Sequence, residues 1–129
     1  MVYTEGQSVS GEGTSRMLDV KVHSEGTSTV IAVRGEIDIA SVPHLQSALE
    51  EGQRGGGPLV VDMTNVGFMG SAGLSALMVA SEAAKPQRLR VVASDAVRRP
   101  IEVTGLDKLL EMFPTLDAAL AAGNSSANN

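Results

Sequence analysis

The stretch that most constrains this chain runs from Leu59 to Leu77, Leu-Val-Val-Asp-Met-Thr-Asn-Val-Gly-Phe-Met-Gly-Ser-Ala-Gly-Leu-Ser-Ala-Leu. It opens as a short, wholly apolar run, which suits a strand covered on both faces of a sheet. It closes as a helix of small and aliphatic residues. Between them lies a turn with a single hydroxyl, Ser71, flanked by Gly70 and Gly73. A strand–turn–helix of this kind sets a polar loop over the end of a central strand, where open α/β sheets gather their functional groups.

The rest of the chain supplies neighbours for that strand. Leu18 to His23 alternates apolar and polar residues, which predicts a half-buried strand with His23 on its wet face. A turn at Ser24-Glu25-Gly26-Thr27 leads into Ser28–Gly35, apolar on both faces and therefore more central, so the two form an antiparallel hairpin. Ser41 caps the next helix, Pro43 fits its first turn, and Leu45, Ala48 and Leu49 make its buried stripe. Gly52 and the Gly55-Gly56-Gly57-Pro58 run end it. The helix after Ser71 runs to about Lys85, ahead of Pro86. Leu89–Ala93 is a strand, Ser94 or Asp95 caps a short helix that accommodates Pro100, and Gly105 stops it. An extended piece at Glu111-Met112-Phe113 precedes Pro114, and Thr115 caps a last helix with Leu116, Ala119 and Leu120 facing inward.

This order predicts one α/β domain over residues 17–122, a hairpin leading into two right-handed βαβ crossovers on a mixed sheet. Residues 1–16 and 123–129 lack apolar periodicity and read as disordered tails.

Charge and composition narrow the function. Ten Lys and Arg against fifteen Asp and Glu give a net charge of −5, the wrong sign for a binder of nucleic-acid phosphates. With no cysteine and only His23 and His44, neither thiol redox chemistry nor an ordinary zinc site is expected, and no metal or cofactor is assigned. No secretory signal and no apolar run near the ~20 residues of a membrane span occur, so the expected location is cytoplasmic.

Ser71 has three readings. It can cap the helix that follows. It can be a phosphoacceptor, since a phosphate there would meet the positive end of a helix dipole and add roughly −1.5 to −2 charges to an exposed loop. It can be a nucleophile with His44 as base and Asp38 or Asp62 as orienting carboxylate, but the elbow motif Gly-x-Ser-x-Gly is half present, with Met69 two residues before Ser71. No enzymatic activity is assigned on that footing. Asp38, in Gly35-Glu36-Ile37-Asp38, either accepts hydrogen bonds from loop amides or offers a carboxylate on the same sheet edge as Ser71. Gly55-Gly56-Gly57 lacks the Lys-Ser/Thr of a phosphate loop and reads as a connector, and Arg98-Arg99 as a solvated pair.

Four pieces occur in one order: Gly35-Glu36-Ile37-Asp38; Val61-Asp62-Met63-Thr64-Asn65-Val66; Phe68-Met69-Gly70-Ser71-Ala72-Gly73-Leu74; and Thr104-Gly105-Leu106-Asp107-Lys108-Leu109. Together they resemble a STAS domain of the bacterial anti-sigma factor antagonist type, over about Met17 to Ala122. The resemblance implies a mixed four- to five-stranded sheet with about four helices, mainly on one face. It implies a non-enzymatic partner switch in transcription regulation. The unphosphorylated antagonist binds an anti-sigma factor that is a histidine-kinase-like ATPase and serine kinase, which frees a sigma factor. Phosphorylation at Ser71 ends the contact, and a PP2C-type phosphatase restores it. Asp38, Gly70, Ser71, Ala72, Gly73, Leu74 and Ser75 become the partner-binding candidates, with Val79 further along the same helix. The family pattern has Asp before the serine. Gly70 stands there instead, removing a charge and allowing φ > 0, so a looser loop is expected. The alternative is a STAS-fold binding subunit of a sensory or lipid-transport complex, without a phospho-switch.

Overall fold

The computed structural model describes residues 18–127, with side chains given through residue 122. The expected N-terminal tail, residues 1–16, lies outside the described residues, as do 128 and 129. The elements are β1 (Asp19–Glu25), β2 (Ser28–Ile37), α1 (Val42–Gln53), β3 (Leu59–Met69), α2 (Ser71–Ala84), β4 (Arg90–Ala93), α3 (Asp95–Thr104), a 3₁₀ turn (Leu106–Lys108), β5 (Glu111–Phe113) and α4 (Leu116–Ala127).

The five strands form one sheet in sequence order, with β1 antiparallel to β2 and every later neighbour parallel. The hairpin is the expected one, Asp19 pairing with Arg34 and Glu25 with Ser28.

Consecutive apolar residues in β2 and β3 follow from the pleat, which sends neighbouring side chains to opposite faces. On one face Ile31, Val61 and Val91 join a core with Leu45 of α1, Leu77 of α2 and Ile101 of α3. Those three helical side chains are fully buried, and each contributes roughly 1.5–3 kcal/mol of apolar transfer. On the other face Val30, Val60 and Val92 meet Ala119 of α4, with Leu116 and Leu120 beside it. Three helices thus cover one face and α4 the other.

Two expectations change. The strand expected as a short apolar run from Leu59 is longer, because β3 keeps pairing with β2 as far as Met69. It does so through register shifts between Ala32 and Arg34 and between Gly35 and Glu36, which absorb extra residues of β3. Gly35 sits at the second shift with φ of 112°, where a side chain would strain the backbone. The last helix also extends to Ala127, so residues 123–127, read as tail, have helical backbone. Once nucleated at Thr115, the helix gains a bond for each residue it adds.

Candidate functional site

The site grows from the paired ends of β2 and β3. Ile37 pairs with Met69, and the Gly70 N–H donates to the Ile37 carbonyl at 2.9 Å. The chain leaves both strands at this edge, so the Asp38 loop and the Ser71 loop start side by side.

The Asp38 loop is organised by a reciprocal exchange with Ser41. The Asp38 Oδ1 accepts from the Ser41 N–H at 2.9 Å and from the Ala40 N–H at 3.1 Å. In return the Ser41 hydroxyl accepts from the Asp38 N–H at 2.9 Å and donates to the Glu36 carbonyl at 2.9 Å. The Ser41 amide first, then its hydroxyl and the Ala40 amide, hold the Asp38 carboxyl below its ordinary value, so it stays an exposed anion. Ser41 is the N-cap residue of α1 as expected, yet its side chain makes no capping bond because it is spent on this turn.

At the neighbouring loop the cap residue is Gly70, not Ser71. Ser71 is the first residue of α2, exposed, and its hydroxyl has no hydrogen-bond partner among the described residues. The capping reading is therefore corrected. The first helical bonds run from Gly73 and Leu74 N–H to the Gly70 carbonyl, and the amides before them have no intrahelical acceptor. Gly70 has φ of −86° and ψ of −175°, extended backbone open to any residue, so the expected use of positive φ is corrected as well.

Gly73 is fixed for a different reason. A Cβ there would lie 2.6 Å from Met69 Cγ and 2.8 Å from Ile37 Cγ2, so the absence of a side chain is what seats α2 on the strand ends. Ala72 and Leu74 are partly buried against the same core. The exposed stripe of α2 is Ser71, Ser75, Met78, Val79 and Glu82, at helical spacing, while Ala76, Leu77 and Ala80 face inward.

The candidate residues therefore divide. Asp38, Ser71 and Ser75 face solvent, whereas Gly73 is buried and Ala72 and Leu74 are half-buried. His44 is exposed in the first turn of α1, and the Asp62 carboxylate accepts from the Thr64 N–H at 3.1 Å and the Thr64 hydroxyl at 2.6 Å. Among the described residues no hydrogen bond joins Ser71 to His44, Asp38 or Asp62.

Residues 19–119 match the model of the STAS domain. The chain belongs to the STAS domain family. It is 37% identical over 106 residues to the anti-sigma-F factor antagonist RsfB of Mycobacterium tuberculosis, covering 80% of this chain and 87% of that protein. It is 31% identical over 100 residues to the anti-sigma-B factor antagonist of Listeria monocytogenes, covering 74% of this chain and 88% of the other. The crystal structure of an anti-sigma factor antagonist from Mycobacterium paratuberculosis superposes with a TM-score of 0.80 at 38% identity, over 86% of this chain and 97% of that one. Among the described residues no helix of this STAS domain is long and apolar enough to cross a membrane.

Sequence reasoning passed over the apolar side chains around the STAS loops. Ile39, beside Asp38, is 83% exposed, and Phe68, whose ring approaches Gly70, is 49% exposed. An isoleucine directly after the turn-forming Asp38 and two residues before the helix cap Ser41 was the available signal for the first. The second was hidden by the bulge, which turns Phe68 outward while Val66 and Met69 stay buried.

Proposed function

We propose that this protein is an anti-sigma factor antagonist whose binding to an anti-sigma factor is ended by phosphorylation of Ser71. The observation that carries the reading is the placement of Ser71. Its hydroxyl is exposed and unbonded at the start of α2, one hydrogen bond away from the Asp38 loop. The names of the relatives support the same reading, since each is described as an antagonist of an anti-sigma factor.

The chain needs no chemistry of its own for this. The unphosphorylated surface offers the Asp38 carboxylate, the Ser71 hydroxyl and the apolar Ile39, Phe68, Met78 and Val79. The anti-sigma factor transfers the γ-phosphoryl group of ATP to the Ser71 oxygen, and the hydroxyl proton leaves to a base on the kinase. The phosphate is held locally by uncapped amides of α2, yet it brings about two negative charges to a surface that already carries Asp38. Burying that charge against the partner without a matched cation costs several kcal/mol, and every 1.4 kcal/mol is about tenfold in affinity. A PP2C-type phosphatase then resets the switch.

The test is to incubate the protein with ATP and the anti-sigma-F factor that the M. tuberculosis relative is named for antagonising. A complex is expected without ATP, and a single phosphate on Ser71 with it, absent in Ser71→Ala by mass spectrometry. Absence of both the complex and the Ser71 phosphate would contradict the proposal. Recovery of transport or sensory proteins in its place would favour the binding-subunit reading.

A further inference from the structure

The end of the molecule opposite Ser71 has its own surface character. Lys85, Arg88, Arg90 and Lys108 lie there against Glu82, Asp107 and Glu111, a cationic excess of one in a chain of net charge −5. Two of those cations, Lys85 and Arg88, line one depression of about 480 Å³ between the end of α2 and the 3₁₀ turn, and Lys108 precedes its wall residue Leu109. Ser81, Lys85, Pro86, Gln87, Arg88 and Leu109 line it.

The cations are placed, not merely nearby. Arg88 Nη1 donates to the Lys108 carbonyl at 2.7 Å and the Leu110 carbonyl at 3.4 Å, which pins its guanidinium beside the 3₁₀ turn. Lys108 is exposed with no ion pair among the described residues. Lys85 Nζ is 3.1 Å from Glu82 and remains 62% exposed. Of the other nearby carboxylates, Glu111 is engaged at 3.3 Å by Arg90, and Asp107 lies in the 3₁₀ turn beside Lys108. Leu109, 41% exposed, gives the depression an apolar wall.

We propose that this depression is a second docking site, which takes an acidic protein segment with an aliphatic side chain seated on Leu109. The concave shape favours an extended segment over a flat lipid surface, and the cations select its charge. Lys85 caps the C-terminal end of α2, about 20 Å along the helix from Ser71. A segment bound here is therefore held whatever the phosphorylation state, and would keep the switch protein beside a kinase or phosphatase between cycles.

The probe is a synthetic glutamate-rich peptide with one leucine, titrated into the whole 15N-labelled protein, with a glutamine-for-glutamate peptide as control. Amide shifts are expected at residues 85–88 and 108–110, unchanged in Ser71→Glu and abolished in about 1 M salt, where the screening length is about 3 Å. Binding should weaken about fivefold or more in the double variant Lys85→Gln/Lys108→Gln, whose melting curve checks that it folds. Four results would overturn the proposal: no shifts up to about 1 mM peptide, equal binding of the glutamine peptide, shifts confined to the Ser71 loop, or pelleting with phosphatidylglycerol vesicles in the absence of peptide binding. Self-association in sedimentation equilibrium that the double variant abolishes would assign the surface to a second copy instead.

Discussion

At the scale of single residues, the two glycines around Ser71 do opposite things. Gly70 is replaceable. Its backbone is extended, and a Cβ would meet the Phe68 ring at 3.5–3.6 Å, ordinary contact. Gly70→Asp should supply the missing cap of α2 and stabilise the fold by a few tenths of a kcal/mol, read as a rise of about 1–2 °C in Tm. Gly73 is not replaceable, because the Ile37 methyl it faces belongs to a fully buried β-branched side chain with nowhere to move. Gly73→Ala should cost ~1–2 kcal/mol in urea unfolding, overcrowding outweighing the gain in helix propensity. Asp38 makes a third residue-scale case. Its folded-state pKa is depressed, so the loop's stabilisation is present above the unfolded carboxylate value and is lost as pH falls through the lower folded one. A carboxyl-carbon NMR titration should place Asp38 below an ordinary aspartate, and Ser41→Ala should move it back up.

At the scale of elements, three helices begin on the edge that bears Asp38 and Ser71 without a side-chain cap, at Ser41, Gly70 and Ser94. Two of these are serines that bridge elements instead. Ser94 Oγ donates to the Val66 carbonyl at 2.7 Å, tying the start of α3 to β3 just before the bulge. Ser94→Ala should lose about 1 kcal/mol in denaturant unfolding, with the m-value unchanged. These serines show what the sequence can and cannot say. Local rules work where the partner is local, as when Thr115 Oγ1 accepts from the Ala118 N–H at 3.1 Å or Gly105 ends α3 at φ of 78°. They fail where the partner lies far along the chain, 28 residues away for Ser94. The same holds for β3. The apolar run at Leu59 shows only the start of the strand, and it is the facing strand, with its shifted register, that keeps Asp62 and Asn65 in the ladder.

At the scale of the molecule, the proposed switch and the frame are separated. The sheet buries Val30, Val60 and Val92 under α4, and Ile31, Val61 and Val91 under α1, α2 and α3. The edge bearing Asp38 and Ser71 is free of that packing duty, so charge can be added there without unfolding the domain. This layout was legible in advance because parallel strands covered on both faces must be apolar throughout. The apolar rim of Ile39 and Phe68 was not, since exposure depends on which neighbours arrive. The most direct test of the switch is a calorimetric comparison of anti-sigma factor binding by the protein before and after stoichiometric phosphorylation of Ser71. About 100-fold weaker binding by the phosphorylated form is expected, from roughly 3 kcal/mol of uncompensated charge burial. Equal affinity of the two forms would contradict it.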